Sequence, residues 1–226
     1  MKLYHGTSSR FLNAILKRGL HSRGSKKIGN WEKFPSRTDM VYLTVAYPFF
    51  FAACCTEKDE QSLVIEIDSD KLDQSLFYPD EDFIAQGLSH QLNVPIESIH
   101  HQITRGIKKY RQYWEKSLDG IGNCCYKGAI PLSAITRYCL FDAKQRPSIA
   151  ICMMDPSISI LNYTLIGKHK YRNLVAWMFG DAPRIITEWE TLAGDSDQFK
   201  EYIEHWNKES LDKTGIEVVT LCDGDS

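Results

Sequence analysis

No apolar run in this chain reaches the roughly 18 residues that a membrane-crossing helix needs. The first residues carry no apolar leader stretch either, so a soluble, unexported, cytoplasmic protein is expected. Cys-x-x-Cys and His-Glu-x-x-His are both missing, and no dedicated metal site is expected. There is no excess of either charge: 27 Lys and Arg stand against 29 Asp and Glu, for a formal net charge of −2. That balance argues against a generally basic nucleic-acid binder but leaves room for a local basic patch. Internal repeats and low-complexity tracts are absent.

What the chain does have is enough to fold. At 226 residues, 43% apolar and 12% aromatic, it suits one large domain, or a domain with a helical appendage. Its seven cysteines include two adjacent pairs, Cys54-Cys55 and Cys124-Cys125, inside apolar runs. They read as small buried hydrophobes in a reducing cytosol.

The stretch Leu3-Tyr4-His5-Gly6-Thr7 reads as a short buried strand ending in a tight Gly-Thr turn. Phe11, Leu12, Ile15 and Leu16 then fall at helical spacing, and Gly19 supplies a left-handed stop. His21 to Thr38 is a basic, glycine-containing loop with Arg23, Lys26, Lys27, Lys33 and Arg37. A loop of that length in a compact domain is usually functional. Met40 to Thr44 reads as a strand and Ala46 to Cys55 as a buried helix with Pro48 in its first turn. Gln61 to Asp68 alternates around Leu63, Ile65 and Ile67, which predicts a strand with a polar outer face.

Helices are expected over about Asp80 to Gln91, capped by Asp80, and over Pro95 to Lys116. Strands follow at Asn123 to Gly128 and Ile135 to Asp142. Beyond residue 145 the texture turns largely helical, with Asn162 to Gly180 and Asp197 to Lys208, before a last strand at Ile216 to Leu221. The fold class is thus α+β. Residues 1–145 form a core with a helical insertion at about 80–116, and 146–226 form a C-terminal extension packed on it.

His5 and Tyr42 are the pair on which a site would be built. Each lies in an inner strand followed by a helix and is flanked by small residues. Imidazole offers a directional hydrogen bond, and a phenol offers a flat face with a polar tip. A second basic stretch contains His100, His101, Arg105, Lys108, Lys109 and Arg111, with Tyr110, Tyr113 and Trp114 interleaved. Charge with stacking aromatics suits single-stranded nucleic acid, although a charged outer face over an aromatic inner one is the plainer reading of the spacing. Asp80, Glu81 and Asp82 read first as a solvated helix N-terminus complementing the dipole.

The order Tyr4-His5-Gly6-Thr7, helix, Gly19-Leu20, basic loop, Val41-Tyr42-Leu43-Thr44, alanine-containing helix, strand resembles the His-Tyr branch of the ADP-ribosyltransferase superfamily. That branch includes poly-ADP-ribose-polymerase-type domains, RNA 2′-phosphotransferases and nucleic-acid-targeting bacterial toxins. Tyr126 to Pro131 resembles a late strand and turn of such enzymes, and the resemblance covers roughly residues 1–142. It implies a split, mostly antiparallel β-core gripping NAD as co-substrate, without a metal. His5 would hold the nicotinamide-side ribose, the backbone of Gly6 with Thr7 would meet the carboxamide side, and Tyr42 would stack on the nicotinamide. Arg23 and Arg37 would reach the pyrophosphate. The implied chemistry is displacement at the ribose anomeric carbon through an oxocarbenium-like state.

One departure from the pattern matters. Active members usually carry a glutamate at the start of the late strand, where this chain has Asn123, with Asp119 the nearest carboxylate. Asn123 and Asp119 are therefore the first candidates for its role, and Glu81 the next. The resemblance implies a mono-ADP-ribosyltransferase acting on nucleic acid, RNA foremost, as a bacterial toxin either of phage defence or of a toxin–antitoxin pair, in which case an antitoxin protein is its partner. Transfer to protein, an inactive NAD- or ADP-ribose-binding module, and an RNA 2′-phosphotransferase are the alternatives.

Overall fold

The computed structural model describes residues 1–24, 36–142, 175–176, 178–181 and 216–221. Lys26, Lys27 and Lys33 of the basic loop lie outside the described residues. So do most of the helix at Asn162 to Gly180 and the helix at Asp197 to Lys208.

Among the described residues seven antiparallel strands make one sheet, and with the helices around it the class is α+β. The strands are β1 (Lys2–Ser8), β2 (Met40–Thr44), β3 (Ser62–Asp68), β4 (Phe77–Pro79), β5 (Asn123–Lys127), β6 (Ile135–Phe141) and β7 (Glu217–Thr220). Their spatial order is β4-β5-β2-β1-β3-β6-β7. β1 sits at the centre and pairs with β3 along its whole length, from Lys2 opposite Asp68 to Ser8 opposite Ser62. Against β2 it makes a single bridge, Tyr4 opposite Thr44. The sheet therefore comes close to parting between its two central strands. β7, from the far end of the chain, pairs with β6, so the sheet runs past the boundary expected near residue 145.

The helices are α1 (Leu12–Arg18), α2 (Pro48–Cys55), α3 (Glu81–Leu92), α4 (Ile96–Gly106) and α5 (Trp114–Ile121), with a 3-10 segment Ile107–Tyr113 between the last two. α2 lies across β1 and β3, with Phe49 and Ala52 fully buried. Gly6 makes this contact possible. A Cβ there would sit 2.0 Å from the Pro48 carbonyl oxygen and 2.5 Å from the Ala52 nitrogen, so no side chain fits. Thr44 Oγ1 accepts from the backbone N–H groups of Ala46 and Tyr47, both at 3.1 Å, and donates to the Gly122 carbonyl at 2.9 Å. One hydroxyl thus fixes both the entry to α2 and the corner before β5. On the β2–β5–β4 side, α3, α4 and the 3-10 segment close a smaller core of Met40, Tyr78, Ile84, Ile103, Ile107 and Cys125.

Several expectations are corrected. β1 runs straight through Gly6 and Thr7 to Ser8 without a turn, and the Ser8 hydroxyl caps the 3-10 turn before α1 by accepting from the Arg10 N–H. The helix expected from Pro95 to Lys116 breaks at Gly106 and restarts at Trp114. β4 was not expected at all; its Pro79 is tolerated because β4 is an edge strand. Cys54 is exposed, whereas Cys124 and Cys125 are buried.

β3 has no polar outer face, because it is covered on both sides. Glu66 on that strand is 2% exposed and holds Arg137, whose Nε donates at 2.9 Å. Thr136 Oγ1 donates to the same carboxylate at 2.7 Å, and Lys2 Nζ stands 3.3 Å away. Arg137 also pairs with Asp181 at 2.7 Å and lies over the Phe179 ring, while Phe179 packs on Tyr4. This ionic clamp ties the Val175–Asp181 region to the central strands. Burial alone would raise the Glu66 carboxyl, but the bonds from Arg137 and Thr136 outweigh it and hold it below its usual range. The bond from Arg137 holds Asp181 at about 2.

Both carboxyls are depressed in the folded state, so their stabilisation is complete above their unfolded values near pH 4. It is lost as pH falls from there toward about 2. Arg137→Met leaves Glu66 buried without its main partner and should cost about 3 kcal/mol at pH 7. Urea unfolding at pH 7 and pH 3 checks this, and the difference between variant and wild type should shrink at the lower pH.

Candidate active site

Past the single bridge at Tyr4, the edge of β1 that faces β2 carries no ladder pairing. His5 fills the gap: its Nδ1 lies 2.8 Å from the backbone carbonyl oxygen of Tyr42. A carbonyl only accepts, so Nδ1 carries the hydrogen and Nε2 of the neutral ring is left as an acceptor. Burial lowers the His5 pKa below its usual value, with the Tyr42 carbonyl opposing, so the neutral form is the one favoured.

A cleft of about 830 Å³ opens where the strands separate. His5, Gly6 and Thr7 line it from β1, Met40 to Leu43 from β2, and Asn123 from the start of β5. α1 and the segment after it, the 36–37 segment, the end of α2, and Asp80 to Asp82 complete the walls. The two rings named from the sequence thus share one concave site. Its volume lies within the roughly 300–1,000 Å³ range of ligand sites.

The Tyr42 hydroxyl is clamped from two sides. It accepts from the Arg37 backbone N–H at 2.7 Å and donates to the carboxylate of Glu81 through a short bond. Glu81 is the first residue of α3 and is 3% exposed, with Cys125 Sγ 3.9 Å from its other oxygen. Asp80 caps the same helix by accepting from the Asp82 N–H at 2.9 Å, and it too is buried, at 7% exposure. The solvated reading of these two carboxylates is therefore overturned; of the three acids only Asp82 reaches solvent, while bonding His100 at 3.0 Å. No residue in the stretch marks this burial: it follows from β4, the edge strand just before Asp80, pairing with β5.

Burial raises the Glu81 carboxyl pKa by more than the Tyr42 hydroxyl lowers it. Burial, with the charges of Glu81 and Asp82, pushes Asp80 well above the carboxylate range. The Tyr42 phenol is also pushed up, mainly by burial.

The remaining expected residues divide. Asn123 does line the cleft, and its buried Oδ1 has no hydrogen-bond partner among the described residues. Its own carbonyl accepts from Ser117 Oγ at 2.8 Å, and Ser117 Oγ accepts from the Asp80 N–H at 3.0 Å, so one serine locks β5 to α3. Asp119 is corrected: it is exposed on α5 and outside the cleft, because the inward positions of that helix belong to Leu118 and Ile121. Arg23 lines the cleft and donates to the Ser36 carbonyl at 2.5 Å. Arg37 also lines it, but its guanidinium is held by Asp39 at 2.8 and 2.9 Å and by the Thr104 carbonyl at 2.5 Å. It anchors the wall rather than facing a ligand. Arg10, Cys54 and Cys55 line the cleft and were not expected there. Among the described residues no cluster of His, Cys, Asp or Glu is arranged to hold a metal ion, and no helix is long and apolar enough to cross a membrane.

An acid whose folded pKa is raised stabilises the fold fully below its unfolded pKa, and that stabilisation is lost as pH rises through the folded value. Glu81→Gln, which keeps an acceptor for Tyr42, should therefore be more stable than wild type at pH 8 by about 1 kcal/mol. The advantage should vanish below about pH 4, where the unfolded carboxyl is also protonated. Thermal unfolding of the two proteins across that range measures it, and equal curves at pH 8 would refute the burial assignment.

No protein-family model matches this chain, and no curated protein matches it.

Proposed function

We propose that the chain is an NAD-dependent mono-ADP-ribosyltransferase whose site is the cleft between β1 and β2, with nucleic acid, RNA foremost, as acceptor. The observation that carries the reading is the opening in the central sheet. An imidazole bonded to the Tyr42 carbonyl replaces the ladder there, and His5, the Tyr42 ring and a buried carboxyl come to one concave wall.

Each group has a task that follows from its surroundings. His5 Nε2, a fixed acceptor, takes a hydrogen bond from a ribose hydroxyl and orients the sugar. The unpaired edge of β1 at Gly6 offers backbone groups to a carboxamide. Tyr42, held at its hydroxyl by Arg37 and Glu81, presents an immobilised ring face for a planar heterocycle. Arg23 brings a positive charge to the wall beside Ser36, where a pyrophosphate needs it. NAD supplies the chemistry: cleavage of its ribose–nicotinamide bond releases neutral nicotinamide and builds positive charge on the sugar. The carboxyl of Glu81 is the acid in the cleft that bonds Tyr42, and it takes over from Asn123 and Asp119 as the candidate for offsetting that charge. The acceptor then loses a proton as it bonds to the anomeric carbon. A cytoplasmic toxin restrained by an antitoxin protein is the setting that the family resemblance suggests.

The amide at Asn123 favours one other reading, a module that binds NAD or ADP-ribose without turning it over. Labelled NAD incubated with total RNA, DNA or cell protein separates them. The expected result is label in RNA with matching nicotinamide release. His5→Ala and Tyr42→Ala should each slow release about a hundredfold while keeping the circular dichroism spectrum. NAD bound without release would favour the binding module, label on protein would change the acceptor, and no NAD binding at all would overturn the reading.

A further inference from the structure

The cations of this protein are not spread evenly. Lys2, Arg10, Arg37 and Arg137 are each in an ion pair. By contrast, Arg105, Lys108, Lys109, Arg111 and Lys116 are all exposed, and none of them makes an ion pair among the described residues. They fall within one surface segment, the end of α4, the 3-10 segment and the start of α5, whose single acid is Glu115. Arg111 is the most engaged of them, donating from Nη1 to the Ser75 carbonyl at 2.9 Å and lying within electrostatic reach of Asp73. In a chain of net charge −2 the other four are a concentration of positive charge with no ion-pair partner among the described residues.

The aromatic residues of the segment divide between inside and outside. Trp114 stacks on Phe77 with centroids 4.6 Å apart, and Tyr110 packs into the smaller core. Tyr113 stays out at 36% exposure, with Lys116 Nζ 5.5 Å from its ring centre. In a 3-10 helix residues three apart eclipse and lie about 6 Å from each other, so Lys108 and Arg111 stand in one row. A row of cations beside an open aromatic face suits a flexible polyanion that carries planar groups.

The patch also adjoins the cleft. Arg105 follows Thr104, whose carbonyl accepts from the cleft-lining Arg37, and α4 packs on α3, whose first residues form the cleft wall.

We propose that this cationic face, Arg105 to Lys116 with Tyr113 at its centre, is a docking surface for single-stranded nucleic acid leading to the mouth of the cleft. Its role in presenting an acceptor rests on the transferase reading, but the binding itself does not. Phosphates lie along the lysines and arginines, and a base stacks on Tyr113. Stacking on an exposed ring is what separates this partner from an acidic protein, for which charge alone would serve.

The test is a fluorescence-anisotropy titration, without NAD, of the full chain with a labelled 15-nucleotide single-stranded RNA. The DNA of the same sequence, the RNA duplex and poly-glutamate are run in parallel. Wild type should bind the single strands better than the duplex, with affinity falling as salt rises. The triple variant Lys108→Gln, Lys109→Gln, Arg111→Gln should bind at least about tenfold more weakly, with a salt slope shallower by about 2. Tyr113→Ala should lose about tenfold with the slope unchanged. Lys58→Gln, an exposed cation outside the patch, should bind as wild type. The RNA-to-DNA ratio identifies the natural strand. Wild-type-like binding by the triple variant, no dependence on Tyr113, or poly-glutamate bound as tightly as RNA would each overturn the proposal. Oligomer binding without any release of nicotinamide from NAD would sink the transferase reading and leave the surface standing. Transfer to RNA that ignores the patch would do the reverse.

Discussion

A histidine that replaces a rung of the sheet organises the molecule. Along most of β1 the backbone is satisfied by β3, but on its other edge the ladder to β2 is a single bridge. A buried carbonyl left without a donor costs about 1–3 kcal/mol. The Tyr42 carbonyl avoids that cost by accepting from His5 Nδ1, and the strands can then stand apart without losing the bond. The separation is the cleft. The same bond sets the tautomer of His5 and seats the backbone of Tyr42 while Arg37 and Glu81 hold its hydroxyl. Structure and candidate chemistry therefore share one residue.

The surroundings of that bond are rigid on one side and electrostatically loaded on the other. α2 is pressed on β1 closely enough that only glycine fits at position 6, and the Thr44 hydroxyl locks the turn leading into α2. Across the cleft, two neighbouring carboxyls are kept out of water at the start of α3, with Ser117 bridging that start to β5. Buried acids at one wall are a standing cost to folding, of the kind that binding and reacting sites impose. The clamp of Glu66, Arg137 and Asp181 on the other strands is the contrasting case, in which a buried carboxylate is fully matched.

Much of this was legible in the residues. Met40–Thr44 is read to the residue, and β3, β5 and β6 to within one, because β-branched and apolar runs bounded by glycine, proline or polar turns leave little choice. His5 and Tyr42 were legible as polar groups in inner strands, and they do line one cleft. What escaped was tertiary. Glu66 looks like the outward residue of an alternating strand until β3 proves to be central and Arg137 arrives on β6. Asp80 and Glu81 look like ordinary capping acids, since only the adjacency of the edge strand to β5 buries them. Asp119 sits close to the late strand in sequence but on the outward side of a helix, where sequence proximity says nothing of direction.

The strand order carries a kinetic consequence. No two neighbouring strands of the sheet are joined by a tight hairpin. Even the shortest link between partners, from Ser8 to Met40, spans α1 and the basic loop, and β6 must await a partner beginning at Glu217. Every pairing is a long-range closure, and closures of that kind slow the search for the native arrangement toward milliseconds to seconds. Within the helical insertion the α3–α4 contacts are local and can form early, but its core is completed only when Met40 of β2 and Cys125 of β5 arrive, so even this outer layer waits on the long-range closures.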